Sequence, residues 1–182
     1  MRTPVIALLL AVFLPAPGPV NELTLARLRP GVDTLTRAVR VFPAGSRTKA
    51  EGEGAVSMAA WDDSCGKRLV RLELGDKGMI QGVTVSDLGE ERAGCRSAAV
   101  TWATPAKLET GRGLALGQNC KRAIAIYGEP DSRGPSTQSG RDLELLYYQF
   151  DWAGTRVPQV MEVTCERPGG RVVQITLAFP SL

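Results

Sequence analysis

There is no histidine among the 182 residues of this chain. Its absence excludes Ser-His-Asp and Cys-His catalysis, imidazole general-base chemistry, and every metal site that needs an imidazole. Aromatic residues are scarce at 5%, with three Trp, three Tyr and four Phe. Charge of one sign is not in excess: 22 Lys+Arg stand against 19 Asp+Glu, a net +3. That is too slight to point to a nucleic-acid or anionic-membrane partner. No apolar run approaches the roughly 20 residues a membrane-spanning helix needs. What remains is 43% hydrophobic and 23% charged, the mix of a soluble globular protein. The length suits one ordinary domain or two small ones.

The first twenty residues read as an export signal. Met1-Arg2 supplies a positive start, Val5 to Leu14 is unbroken apolar chain, and Pro15, Pro17 and Pro19 then break any helix. The alternative is a buried N-terminal helix. The first cysteine is Cys65, so no lipid-bearing cysteine follows the apolar run. The mature protein is therefore expected to be soluble and secreted or periplasmic. Four cysteines in an exported chain favour two disulfides. Structural zinc sites cluster their ligands at short spacing. Here the nearest pair is Cys95 and Cys120, so neither a metal nor a cofactor is expected.

The order of signals occurs twice. Leu35, Ala38, Val39 and Phe42 have the spacing of one helix face, and Cys120, Ala123, Ile124 and Tyr127 repeat it. Polar residues able to cap stand before each, Asp33 or Thr34 and then Asn119. Breakers follow each, Pro43 with Gly45 and then Gly128 with Pro130. Three strand-like runs come next, about 55–61, 68–74 and 79–85 in one copy and 143–152, 159–165 and 171–178 in the other. Short glycine turns, Gly75-Asp76-Lys77-Gly78 and Pro168-Gly169-Gly170, join the last two runs of each copy as hairpins. The expected fold class is α+β: two tandem copies, each a helix packed on a small antiparallel sheet. The expected division is a signal over 1–20, a first repeat over 21–87, a linker over 88–112 and a second repeat over 113–182.

Repeat geometry also restricts the three possible cysteine pairings. Cys120 stands where the first copy has Leu35. In Met161-Glu162-Val163-Thr164-Cys165 the apolar alternation turns Cys165 toward the helix, and its counterpart is the inward-facing Leu74. An inward helix residue and an inward strand residue are thus leucines in one copy and cysteines in the other. The prediction is Cys120 with Cys165, leaving Cys65 with Cys95.

The second copy reads Gly113-Leu114-Ala115-Leu116-Gly117, a helix, Tyr127-Gly128-Glu129-Pro130, an aromatic strand Tyr147-Tyr148-Gln149-Phe150, and a final hairpin ending Val172-Val173-Gln174-Ile175. The first copy is similar, with Phe42-Pro43-Ala44-Gly45 in place of Tyr-Gly-Glu-Pro. This layout resembles the tandem fold of the secreted β-lactamase inhibitory proteins, whose single-copy relatives are the BamE-like (SmpA/OmlA) outer-membrane lipoproteins. The resemblance implies proteins that bind other proteins and catalyse nothing. It implies a concave surface made by both sheets, and a hairpin acid that enters an enzyme's active site. Asp76 is the counterpart it offers for that acid.

Other motifs have plainer readings. Gly111, Gly113 and Gly117 do not complete G-x-G-x-x-G, because position 116 is leucine, so they read as a turn into the helix. The acid pairs Asp62-Asp63, Glu129 with Asp131, and Asp142 with Glu144 sit in or beside turns, where Asp bonds nearby backbone. Lys67-Arg68 with Arg71 reads as a solvated strand face. Tyr147 and Gln149 alternate with Tyr148, Phe150 and Trp152, which turns the first set toward solvent and the second toward the core, or the reverse in the other register. Tyr147, Gln149, Asp76 and Trp61 are the candidate partner-binding residues, since exposed aromatics anchor interfaces. The expected function is an exported, non-catalytic protein-binding module using the exposed sheet faces, inhibitor-like or envelope-assembly-like. The alternatives are a small carboxylate-dependent hydrolase and a purely structural envelope component.

Overall fold

Alternation of buried and exposed side chains builds the sheet. In β3 (Arg68–Leu74), Val70, Leu72 and Leu74 are buried while Arg68, Arg71 and Glu73 are exposed. β6 (Arg141–Phe150) likewise buries Leu146, Tyr148 and Phe150. The computed structural model describes residues 21–42, 46–51, 57–63, 67–87, 107–138, 140–150, 159–167 and 170–179. The expected signal segment, most of the expected linker, and Cys65 and Cys95 lie outside them.

Within them the element order is α1 (Leu35–Val41), β1 (Ser46–Glu51), β2 (Ser57–Asp63), β3, β4 (Ile80–Asp87), α2 (Lys121–Tyr127), β5 (Ser132–Gln138), β6, β7 (Gln159–Glu166) and β8 (Val172–Ala178). The strands form one eight-stranded antiparallel sheet in the order β1-β2-β3-β4-β8-β7-β6-β5. This corrects the expected fold class of two tandem α+β copies. The described residues are mostly strand, with only two seven-residue α-helices among them, and their sheet is single and continuous.

Two physical reasons account for the difference. First, each half has a fourth strand that the hydrophobic pattern does not announce. β1 (SRTKAE) and β5 (SRGPSTQ) are polar edge strands, and Gly134 and Pro135 give β5 the composition of a loop. A proline, with no N–H to donate, is tolerated at such an edge. Second, the two halves fuse at β4 and β8, where Val83 faces Leu177 and Val85 faces Ile175. All four side chains are fully buried. Each contributes roughly 1.5–3 kcal/mol by leaving water, which favours the joined sheet over two separate ones.

Following the register across the sheet puts Trp61, Val70, Val85, Ile175, Val163 and Leu146 in one row on one face. Ala59, Leu72, Val83, Leu177, Met161 and Tyr148 make the next row. Both helices cover this face. Helices this short are marginal alone, and packing holds them: Ala38 and Phe42 from the first, Ala123 and Tyr127 from the second, all in the core. The Phe42 and Trp61 rings lie 5.6 Å apart, and those of Tyr127 and Tyr148 5.8 Å apart. α2 stops at Gly128, whose φ of +86° suits glycine and whose N–H donates to the Ile124 carbonyl. In α1 the expected apolar face is only partly used, and Val39 is 37% exposed.

Two isolated bridges dock the chain before each helix onto the following hairpin: Thr34 with Met79, and Asn119 with Arg171. The start of the described chain crosses to the other half. Leu25 bridges Thr110, and the Ala26 N–H donates to the Glu109 carbonyl at 3.0 Å. The last residues of the expected linker thus form paired structure with the first residues of the expected first repeat.

Candidate functional site

The face opposite the helices carries the other half of each strand's alternation. Its middle row runs Ala60, Arg71, Thr84, Thr176, Glu162, Tyr147 and Ser132, from β2 to β5. At its centre, where the halves meet, the hydroxyls of Thr84 and Thr176 share a hydrogen bond of 3.1 Å. The flanking row is Met58, Glu73, Gly82, Ala178, Val160 and Gln149. Small side chains therefore line the two central strands and long ones stand to either side. Met58, Arg71 and Glu73 are exposed on one flank; on the other, Gln149 is exposed and Glu162 and Tyr147 half-buried. Glu73 leans inward over Gly82, where its Oε2 would lie 3.0 Å from an added Cβ. No described helix covers this face.

One end carries an ion-pair network. Arg171 donates Nε to Glu166 Oε2 at 3.0 Å, Arg141 pairs with Glu166 Oε1, and Arg171 reaches Asp87 at 3.8 Å. Hydrogen bonds from Arg171 and then Arg141 hold the Glu166 carboxyl below the ordinary carboxylate range.

The four candidate partner-binding residues fall in different places. Tyr147 and Gln149 are on the open face, joined by a 3.3 Å hydrogen bond from Gln149 Nε2 to the Tyr147 hydroxyl. Asp76 is exposed in the 3-10 turn Asp76–Gly78 between β3 and β4. Trp61 is 2% exposed and sits under α1, so it presents no surface to a partner here. Burial likewise encloses Tyr148, whose hydroxyl is pushed up to about 12. Cys120 and Cys165 are bonded, with Cα atoms 6.2 Å apart, inside the usual disulfide span. They tie the start of α2 to β7.

Three of the acids considered for catalysis have partners for their side chains, while Asp142 is exposed. Glu129 pairs with Arg133, Asp131 Oδ2 accepts the Gln149 N–H at 2.6 Å, and Glu144 lies 3.8 Å from Arg167. The side chains of Asp62 and Asp63 lie outside the described set. Gly113 and Gly117 both have φ of +82°, as turn residues do. Lys67 and Arg68 border a small cavity of about 190 Å³ with Asp87, Leu116 and Gly117, while Arg71 belongs to the open face. Among the described residues no group of three or more Cys, Asp or Glu is placed to hold a metal.

Sequence reasoning missed one constellation. Glu22, 2% exposed, accepts five hydrogen bonds. Oε1 takes the N–H groups of Leu23 (2.8 Å), Thr24 (3.0 Å) and Gly111 (3.1 Å). Oε2 takes the Arg112 N–H at 3.1 Å and the Tyr127 hydroxyl at 2.7 Å. The Thr110 hydroxyl meets Tyr127 Oη at 2.6 Å and accepts the Leu114 N–H at 3.1 Å. Burial, first of all, raises the Tyr127 phenol well above its ordinary value. The cluster clamps residues 22–24 to the 110–112 turn and to α2, and its saturated acceptors mark it as structural. No signal near Glu22 in the sequence announces it.

No helix among the described residues is long and apolar enough to cross a membrane. Comparison with family models, curated proteins and solved structures returns no match.

Proposed function

We propose that the chain is an exported, non-catalytic protein-binding module that engages its partner through the helix-free face of the sheet. The observation that carries the reading is the middle row of that face. Arg71, Thr84, Thr176, Glu162 and Tyr147 lie side by side across five strands and both halves of the chain. Such a row offers a cation, an anion, hydroxyls and one aromatic on a rigid support, a mixture suited to a polar protein surface. The structural engagement of Glu129, Asp131 and Glu144 supports a binding role over acid–base work. The disulfide supports an oxidising compartment, and with it export to the periplasm or the medium. A kinship of the inhibitory-protein and BamE-like kind rests on the sequence motifs Gly113-Leu114-Ala115-Leu116-Gly117 and Tyr127-Gly128-Glu129-Pro130.

The test is affinity capture from envelope extract or culture fluid, with the parent chain beside Arg71→Glu and Tyr147→Ala. The reading expects one protein, recovered by the parent and lost with both variants. Recovery that ignores both substitutions, or turnover of a small substrate by the purified chain, would overturn it.

A further inference from the structure

A second surface lies on the opposite side of the molecule. α1 and the turn between β3 and β4 border a groove of about 460 Å³ lined by Leu35, Thr36, Val39, Arg40, Lys77 and Gly78. Its floor is aliphatic, and its two charged residues are both cations. Neither Arg40 nor Lys77 has an ion-pair partner among the described residues, and α1 itself contains no acid. Two acids stand beside the groove in sequence, and neither is in its described lining: Asp76 belongs to the turn, and Asp33 Oδ2 accepts the Arg29 N–H at 2.8 Å.

Exposed apolar surface concentrates here. Among the described residues five large hydrophobic side chains are exposed, and three of them are Val32 (53%), Val39 (37%) and Met79 (43%). Val39 is on the groove wall, Met79 follows Gly78, and Val32 stands two residues before Thr34, the bridge partner of Met79. The equivalent position beside α2 differs in kind. That groove, about 430 Å³, is lined in part by Arg133, Glu144 and Leu146 of β5 and β6, so it holds an acid beside its cations. Packing alone therefore does not require the first groove to be open, cationic and apolar.

We infer that the α1 groove docks an acidic, amphipathic peptide segment of a partner protein, one aliphatic side chain entering between Leu35 and Val39 while carboxylates meet Arg40 and Lys77. An aliphatic floor whose only charged residues, among those described, are cations complements that chemistry and repels its basic counterpart. The site is separate from the open face and does not depend on its role.

Fluorescence anisotropy with a short labelled peptide, Leu and Glu at helical spacing, tests this on the full chain. The peptide should bind in a salt-sensitive manner, and a Lys-for-Glu version should not. Arg40→Glu with Lys77→Glu should weaken binding about tenfold or more, and Val39→Asp should do the same. All three positions are at the surface, so folding should persist and is checked by circular dichroism. Lys121→Glu at the other groove and Tyr147→Ala on the open face should leave this binding unchanged. Equal binding of the basic peptide, no binding of the acidic one, or indifference to the groove substitutions overturns the inference. So does a result in which only vesicles of equal parts phosphatidylcholine and phosphatidylserine bind, with the same dependence on Arg40 and Lys77, since that would make the groove a membrane contact.

Discussion

Replacing Glu22 by glutamine removes a charge and changes one oxygen into a donor, with almost no change of shape. The amide oxygen keeps the Oε1 position, where it can still accept from Leu23, Thr24 and Gly111. The new NH2 group then falls at the Oε2 position, facing the Arg112 N–H and the Tyr127 hydroxyl. Tyr127 can turn to accept, but the Arg112 N–H cannot, and it is left against another donor. A donor left without an acceptor costs about 1–3 kcal/mol when buried, this part-buried one falling at the low end, and the remaining bonds fall from charge-assisted to neutral strength. Together these predict a loss of roughly 3 kcal/mol, or about 6–12 °C in Tm for a chain of this size. Urea melts should show a lower midpoint with an unchanged slope. Amide exchange should show Leu23, Thr24, Gly111 and Arg112 losing protection before the strands do. A double-mutant cycle with Tyr127→Phe should give a coupling of about 1 kcal/mol, since the two side chains touch. Glu22→Gln within about 0.5 kcal/mol of the parent, or additivity with Tyr127→Phe, would refute the clamp.

Cys120→Ala with Cys165→Ala should leave the fold intact while lowering stability by up to about 4 kcal/mol, from the chain-entropy cost of opening a separation of 45 residues; peptide mapping that links Cys120 to any cysteine other than Cys165 contradicts the structure. Tyr127 and Tyr148 are raised above the ordinary tyrosine value of about 10, so their contribution is complete below about pH 10 and is lost as pH rises, through about 12 for Tyr148. Tyrosinate absorbance should therefore appear for these two only as the sheet unfolds, and ionisation of both near pH 10 in the folded protein would show the burial argument wrong. Trp61→Ala should cost about 3–5 kcal/mol, as buried aromatic truncations do, whereas Gln149→Ala should stay within about 0.5 kcal/mol; equal effects in thermal melts would reverse their placement.

Strand interiors were legible because two-residue alternation survives in them. β3 matches its expected span end to end, and Val70, Leu72 and Leu74 face inward as read. Tyr147 and Gln149 were separable from Tyr148 and Phe150 by the same rule. The edge strands were not legible, since β1 is polar in sequence and β5 leaves most of its side chains exposed, so neither carries an apolar pattern. The helix rule overreached in α1, where seven residues bury Ala38 but leave Val39 in solvent. Glu22 was invisible for another reason. Its partners lie 89 and 105 positions away, and no local composition encodes a contact at that range. The same holds for the Thr84–Thr176 centre of the open face, which exists only once β4 pairs with β8.

How far the two halves can act separately follows from what joins them. Among the described residues the halves are joined by the β4–β8 ladder, by the Glu22 clamp with the Leu25–Thr110 bridge and the Ala26–Glu109 hydrogen bond beside it, and by the Arg171 bridge from Asp87 to Glu166. The ladder matters most, because its removal would expose Val83, Val85, Ile175 and Leu177 along two unpaired strands, an aggregation-prone edge. The surface bridges contribute little, in the range of 0–1 kcal/mol each. The full chain should therefore unfold in one transition, with circular dichroism and tryptophan fluorescence giving the same midpoint. Residues 21–87 expressed alone should be insoluble or self-associate through β4, and charged residues in place of Val83 and Val85 should restore solubility without restoring the fold. Two resolved transitions, or a folded monomer of 21–87, would mean that the seam is a contact between independent units, and the row from Arg71 to Tyr147 would then have no fixed geometry to offer a partner.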